Sequence, residues 1–248
     1  MDNINKINFI AEWIRTYVNS MKNPAKTLVV GISGGIDSAL TSTLSSLTGI
    51  KTIAISMPIK SGSNTTGLSD IHGKWLVNKF SNTTHISIDL TNTYKIFYST
   101  LSENKQVSEL GFANSKARLR MMTLYQIAAS QHGIVVGTGN KVEDFGVGFY
   151  TKYGDGGVDI SPIADLMKSE VWELSKELEI DKRIINAEPT DGLWDDDRTD
   201  EKQLGLSYDQ LEEAMTNLNS ENRVMYENIR DTNMHKINPI PVCKFPKN

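Results

Sequence analysis

The sequence predicts an α/β fold, a doubly wound and mostly parallel sheet with helices on both faces. Three observations predict it. Short apolar runs alternate with helix-length amphipathic segments through residues 1–137, the pattern of strands joined by crossover helices. Two of the runs, 27–32 (TLVVGI) and 133–137 (GIVVG), are apolar throughout, as strands buried on both faces are. Each of these two leads into a glycine-rich turn, Ser33-Gly34-Gly35 and Gly137-Thr138-Gly139. Both turns therefore leave strand ends and should face one cleft, where such sheets bind ligands.

The elements follow in chain order. Ile4, Ile7, Ile10, Ile14 and Tyr17/Val18 recur at helical spacing, so the first 20 residues form an amphipathic helix. Residues 27–32 form a strand and 37–47 a helix. Residues 50–57 form a strand, and 68–80 a helix with Ile71, Trp75 and Leu76/Val77 on one face. Residues 84–88 form a strand, 114–131 a long helix with Leu119, Met122 and Ile127 inward, and 133–137 a short strand. The second half is less regular, with helices expected over 168–178, 207–218 and 221–235. Two stretches read as loops: 60–70, rich in Ser, Gly, Asn and Thr, and 194–202, which carries Asp195, Asp196, Asp197, Asp200 and Glu201. The acidic run is either a solvated loop or an active-site lid.

At 248 residues, 39% hydrophobic and 23% charged, the chain can bury a sizeable core and is expected to be one domain spanning 1–248. The formal net charge of −4 argues against a mainly electrostatic nucleic-acid binder. The single cysteine, Cys243, excludes an intrachain disulfide and a multi-cysteine metal site. No apolar run reaches the roughly 20 residues of a membrane span, and the N-terminus, with Asp2 and Glu12, lacks a signal-peptide core. A soluble cytoplasmic protein is the expectation, with no nucleic-acid or membrane partner.

Chemistry concentrates in the turn Ser33-Gly34-Gly35-Ile36-Asp37-Ser38. A Ser/Gly turn between a strand and a helix N-terminus is an anion site: free backbone N–H groups and the positive end of the helix dipole point at the ligand. Ser33 and Ser38 add hydroxyl donors. Asp37, taken as a surface carboxylate, would repel a phosphate directly, and a Mg2+ between them removes the conflict. The plainer account is a Gly-Gly turn with Asp37 and Ser38 as helix caps. The turn matches neither G-x-x-x-x-G-K-[ST] nor G-x-G-x-x-G. It resembles the S-G-G-x-D-S loop of the ATP pyrophosphatases, which cleave ATP to AMP and pyrophosphate.

A second dense segment runs from Gly137 to Lys168. Glu143 in it is a second carboxylate able to share a Mg2+ with Asp37. Lys152 beside the turn Gly154-Asp155-Gly156-Gly157 can hold another anion, and Lys168 at a helix start can stabilise departing pyrophosphate. The plainer account is a glycine-rich turn with solvated lysines.

With these motifs in hand, the chain resembles the ammonia-dependent NAD synthetases. The resemblance is carried by Ser33–Ser38, Asn114-Ser-Lys-Ala-Arg-Leu-Arg-Met121, Gly137–Glu143, Phe149-Tyr-Thr-Lys-Tyr-Gly-Asp-Gly-Gly157 and Glu188-Pro-Thr-Asp-Gly-Leu-Trp194. Leu204-Gly-Leu-Ser-Tyr-Asp209 and His235-Lys236 add to it, in the family's order across nearly the whole chain. It implies an adenine-nucleotide α-hydrolase-like fold and a reaction of deamido-NAD, ATP and ammonia to give NAD, AMP and pyrophosphate. It implies ATP contacts at Gly31, Ile32, Ser33, Gly34, Gly35, Ile36, Asp37, Ser38, Thr138, Lys168 and Thr190, and Mg2+ held by Asp37 and Glu143. Arg118, Lys152, Asp159, His235 and Lys236 are implied to contact deamido-NAD, with Asp37, Lys168 and Asp159 as the catalytic set. Asp159 could deprotonate ammonium; binding a ribose or capping a turn are its other readings. The family is a homodimer with mobile loops near 60–70 and 191–204. Position 36, the variable slot of the loop, is Ile where several relatives have Gln, and the Glu143–Lys152 spacing is one residue longer than in some relatives. Other ATP-pyrophosphatase ligases or amidotransferases, and a non-catalytic ATP-binding module, are the competing readings. The amidotransferases carry a glutaminase for which this chain has no room.

Overall fold

The computed structural model describes every residue except 60–64, 195, 197, 247 and 248. Four parallel strands, β1 (Thr27–Gly31), β2 (Lys51–Ser56), β3 (Thr83–Ser87) and β4 (Gly133–Val135), lie in the order β3-β2-β1-β4. β1 pairs with β2 in the register Val29↔Ile53 and with β4 in the register Val29↔Val135. The chain winds outward from β1 to β3 and returns to the other side of β1. The switch point therefore lies between the carboxyl ends of β1 and β4.

The helices cover both faces. α1 (Asn3–Ser20), α2 (Ile36–Leu47) and α6 (Lys168–Glu177) bury Ile10, Ile14, Leu40, Leu44, Val171 and Leu174 against Leu28 and Val30. On the other face, α5 (Glu109–Ser130) packs Leu124, Ile127 and Ala128 against Val29, Ile53 and Ile55. Leu28 and Val29 thus point to opposite layers, as the strand period requires, and both are fully buried. α3 (Thr65–Lys79) and α4 (Thr91–Glu103) complete the crossovers. The second half adds α7 (Lys182–Ile185), α8 (Asp200–Leu204), α9 (Tyr208–Thr216) and α10 (Arg223–Ile237). Leu204, Leu206, Tyr208, Leu211 and Tyr226 form a separate small core there with Val142 and Val147.

Every expected strand and helix is present, with most ends within two residues of the sequence reading. The helix expected at 114–131 starts five residues earlier, at Glu109, because Ser108 caps it by accepting from the Gly111 N–H. Part of the expected loop 60–70 is helical, since α3 begins at Thr65, and 60–64 lie outside the described residues. The sequence reading had no helix at 91–103. α4 buries none of its residues fully, but Tyr94 and Tyr98, one turn apart, both meet Phe112 of α5. Between Asn140 and Gly148 the chain forms a π-helix, Lys141–Val147. Among the described residues no helix is long and apolar enough to cross a membrane.

One buried group gives the fold a pH dependence. His72 on α3 lies in the interior with Nε2 at 2.9 Å from Ser42 Oγ, and burial lowers its pKa to about 4. Protons then favour the unfolded chain, where histidine titrates near 6.5. Stability is full above about pH 6.5 and is lost as pH falls toward 4. The linkage amounts to about 2 kcal/mol between roughly pH 7 and pH 5. Asp200, whose buried carboxyl is pushed up to about 7, works in the opposite direction over this range. The histidine's part is therefore read as the difference between the native chain and His72→Gln in urea titrations at the two pH values, the native chain losing more or gaining less at pH 5. Equal changes in both would assign the acid sensitivity to other groups.

Candidate active site

The loop after β1 places Gly34 at φ 97°, a left-handed conformation that glycine adopts without strain. Its hydroxyls bond its own amides. The Ser33 N–H donates to Ser38 Oγ (3.1 Å), the Gly35 N–H donates to Ser33 Oγ (3.1 Å), and the Ser38 hydroxyl donates to the Gly35 carbonyl (2.9 Å). No side chain caps the N-terminus of α2 at Gly35, so the helix presents its own amides there. Asp37 is the acidic residue of that first turn.

The turn after β4 faces this loop. Asn140 is fully buried and joins the two sides: its Oδ1 accepts from the N–H groups of Val142 and Glu143 (3.0 Å each), and its Nδ2 donates to Asp37 Oδ1 (2.9 Å). It caps the π-helix that carries Glu143 while holding Asp37. Lys168, the first residue of α6, completes the cluster. Its side chain is 1% exposed, and its ammonium sits 2.6 Å from Asp37 Oδ2 and 2.8 Å from Glu143 Oε1. Burial alone would lower the lysine's pKa, but the two carboxylates outweigh it and hold Lys168 charged. Glu143 is pushed up by burial, yet Lys168 and a hydrogen bond from Tyr208 bring it below the usual carboxylate range. Burial raises Asp37, with Lys168 opposing.

Two carboxylates share one lysine in a buried cleft, and among the described residues no third acidic, histidine or cysteine ligand joins them. An oxygen-only donor set of this size suits Mg2+, which dehydrates reluctantly and is held by one or two carboxylates together with substrate phosphates.

A second group of expected site residues also comes together. Arg118 on α5 donates to the Lys152 carbonyl (3.3 Å from Nη2), the Lys152 ammonium donates to the His235 carbonyl (2.7 Å), and Lys236 donates to the Tyr150 carbonyl (3.0 Å). The Thr151–Gly157 turn is closed by Asp155 Oδ1, which accepts from the Thr151 N–H (2.9 Å). Its glycines are required by packing: a Cβ on Gly156 would lie 2.4 Å from the Tyr150 ring, and one on Gly154 would lie 2.9 Å from the Ala117 Cβ. A cavity of about 230 Å³ is lined by Gly139 and Asp144, from the turn after β4 and the π-helix, and by Tyr150, Asp155, Gly156 and Ser161.

Asp159 is not brought into the carboxylate–lysine cluster. Its Oδ1 accepts from the Tyr125 hydroxyl (3.1 Å) and its Oδ2 from the Val135 N–H (2.7 Å), bonds that tie its turn to α5 and β4. Thr138 lies on the turn after β4. Thr190 follows Pro189, whose carbonyl accepts from the Asp200 N–H (3.0 Å). Of the acidic run, Asp195 and Asp197 lie outside the described residues, and Asp196 pairs with Arg198 at 2.5 Å. Asp200 is buried at the start of α8, with its carboxyl pushed up to about 7 by burial and then by the charge of Glu143. Sequence reasoning assigned no part to Asn140 or Tyr208, although both lie in motifs it singled out, and read Asp200 only as a member of an acidic run, either solvated or part of a lid.

A glycine-rich anion loop opening a helix, set at the switch point of a parallel sheet beside a carboxylate pair and a buried lysine, defines a phosphate-binding α/β protein. The family known as NAD synthase matches residues 6–246, and the chain belongs to that family. An NH(3)-dependent NAD(+) synthetase of Methanosarcina mazei is 40% identical over 219 residues, 87% of this chain and 82% of that protein. One from Mesoplasma florum is 35% identical over 94% of this chain and 93% of its own length. Among solved structures, the NMN synthetase of Francisella tularensis superposes with a TM-score of 0.88 at 29% identity. That match covers 99% of this chain and all of that one. The NH3-dependent NAD synthetase of Campylobacter jejuni, at 23% identity and a TM-score of 0.78, shares the fold.

Proposed function

We propose that the chain catalyses ATP-dependent amidation of deamido-NAD by ammonia, giving NAD, AMP and pyrophosphate. The observation that carries this reading is the Asp37–Lys168–Glu143 cluster set between the two strand-end turns, beside the Lys152–His235–Lys236 group. A carboxylate is a poor electrophile. Its oxygen displaces pyrophosphate from the α-phosphorus of ATP, and the acyl adenylate so formed gives up AMP when ammonia attacks its carbonyl. No protein nucleophile is needed. The chain's part is to align two anions and to offset the charge that grows on pyrophosphate. The amides of the Ser33–Ser38 loop with Gly31 and Ile32, Thr138, Thr190 and the Lys168 ammonium serve the ATP. Asp37 and Glu143 would hold Mg2+, which supplies charge neutralisation at the phosphates. Arg118, Lys152, His235 and Lys236 serve the acceptor, and the cavity between Asp144 and Asp155 receives its reacting end and the ammonia. Asp159 serves by fixing the turn on which the acceptor segment rests. The reaction belongs in the cytoplasm.

One observation favours a second reading of the acceptor. The Francisella protein, whose name makes its product the mononucleotide NMN, superposes on 99% of this chain at a TM-score of 0.88. A mononucleotide carboxylate would undergo the same two steps. Incubation with ATP, Mg2+, ammonium and either deamido-NAD or nicotinate mononucleotide, with mass analysis, separates the two. Amidation of deamido-NAD at the higher kcat/KM supports the first reading, and preference for the mononucleotide replaces it with the second. The nitrogen donor is expected to be ammonium alone. Cys243 is exposed on the C-terminal tail, and Cys243→Ser should keep full activity. Amide formation from glutamine by the purified chain would contradict this.

We propose a homodimer through α4 and α5. Leu110 and Met122 on α5 are 60% and 59% exposed, and Ile96 on α4 is 70% exposed, an apolar surface that the chain itself leaves uncovered. Arg118 is exposed on α5 near this surface, and its planar fork suits a dinucleotide phosphate. Arg118→Ala should weaken acceptor binding about tenfold while leaving ATP binding within about twofold, as one charge-assisted contact is lost. Titration calorimetry reads both, and sedimentation reads the dimer. An unchanged acceptor affinity removes the arginine's role, and a fully active monomer removes the interface.

A further inference from the structure

Tyr208 is buried and sits at the start of α9, where Ser207 caps the helix and pairs reciprocally with Gln210. Its ring packs edge-on against Trp172 at 5.8 Å, and the Lys168 ammonium lies 4.8 Å from the ring centre. Its hydroxyl is 2.5 Å from Glu143 Oε1 and 3.3 Å from Asp200 Oδ2. An ionised carboxylate only accepts, so Tyr208 donates its single proton to Glu143, and toward Asp200 the tyrosine oxygen can only accept, from the protonated Oδ2 of that buried carboxyl. Lys168 donates to the same oxygen, and these two bonds leave Oε2 outside both. Tyr208 is also tied to the segment that leads into α8. Its N–H donates to Glu201 Oε1 (2.9 Å), and Asp200 in turn holds the Pro189 carbonyl through its own N–H. Asp200 Oδ1 is buried with no hydrogen-bond partner among the described residues. The Tyr208 hydroxyl is therefore the group through which the side chain of Asp200 meets the site.

We propose that Tyr208 is a positioning residue for Glu143. Its hydroxyl fixes the orientation of that carboxylate toward the cation that accompanies ATP, and Asp200 holds the hydroxyl in place. The inference rests on reading Glu143 as a metal ligand. Outer partners that orient a metal-binding carboxylate typically change affinity by 10- to 100-fold when removed.

The test is direct binding of Mn2+ by electron paramagnetic resonance, with saturating ATP and no acceptor. Tyr208→Phe keeps the ring and its packing and should weaken Mn2+ about tenfold, while ATP binding in the presence of chelator is unchanged. Asp200→Ala should weaken Mn2+ by a smaller factor, and the double variant should be no weaker than Tyr208→Phe, because one hydroxyl carries both effects. Asp200→Asn, which keeps a polar partner for that hydroxyl, should restore the affinity lost in Asp200→Ala. A purely structural tyrosine would lower the melting temperature and leave the Mn2+ affinity where it was. Native Mn2+ affinity in Tyr208→Phe, with loss in Glu143→Gln, would overturn the positioning role alone. Native affinity in both would overturn it together with the assignment of Glu143.

Discussion

Lys168→Met is expected to unfold at distinctly lower urea than the native chain and to release pyrophosphate at a rate lower by roughly 10²–10³. The stability loss follows from burial. The ammonium is 1% exposed and is bonded to both Asp37 and Glu143, whose side chains are 18% and 15% exposed. Removing it leaves two carboxylates facing each other in a poorly solvated cleft, a change that costs about 3–5 kcal/mol. Adding Glu143→Gln to Lys168→Met removes one of the two charges. The double variant should regain part of the stability but none of the turnover, which separates the lysine's structural part from its chemical one. A Lys168→Met protein within about 1 kcal/mol of the native chain would contradict the ion-pair account, since exposed pairs cost that little.

Asp37→Asn is the second large effect. The asparagine Oδ1 can still accept from Asn140, so the link between the two strand-end turns survives. Its amide, however, would face the Lys168 ammonium, donor against donor, and the charge that draws a cation to the phosphates is gone. Pyrophosphate release should fall by roughly 10²–10³, with native circular dichroism. The sequence reading treats Asp37 as a surface charge whose loss leaves the fold intact, and the structure corrects its placement at the surface. The side chain is mostly buried and bonded to Asn140 and Lys168, so a loss of about 1–3 kcal/mol accompanies the loss of turnover. Near-native pyrophosphate release in a folded Asp37→Asn protein would remove the aspartate from the reaction.

The parts of the site that were legible in the sequence were those written in local punctuation. Ser33–Ser38 and Gly137–Asn140 each follow an apolar run, and glycines at those places mark tight strand ends whatever the rest of the chain does. Lys168 was legible as a lysine at a helix start, but not its burial, which depends on two carboxylates 131 and 25 residues away meeting it. Asn140 carries no such signal. An asparagine after a glycine turn reads as a cap, and it is one; its second bond, across to Asp37, exists only because β1 and β4 are neighbours. Tyr208 and Asp200 are further from reach, since an acidic run ordinarily reads as solvated and one of its members is instead buried against a tyrosine. α4 carried a signal that the sequence reading passed over: Tyr94, Phe97, Tyr98 and Leu101 recur at helical spacing, and Tyr94 and Tyr98 both meet Phe112 of α5, although no residue of the helix is fully buried.

The measurement that tests the central claim most directly is isotope transfer from the acceptor carboxylate. Deamido-NAD labelled with ¹⁸O in its carboxylate is incubated with the native chain, ATP, Mg2+ and ammonium, and the products are weighed. An acyl adenylate requires a carboxylate oxygen to attack the α-phosphorus and to leave with it when ammonia arrives. The account therefore predicts one labelled oxygen in AMP, one removed from the acceptor as it becomes the amide, and none in pyrophosphate. Label in pyrophosphate or inorganic phosphate, or an amide formed alongside unlabelled AMP, would contradict it.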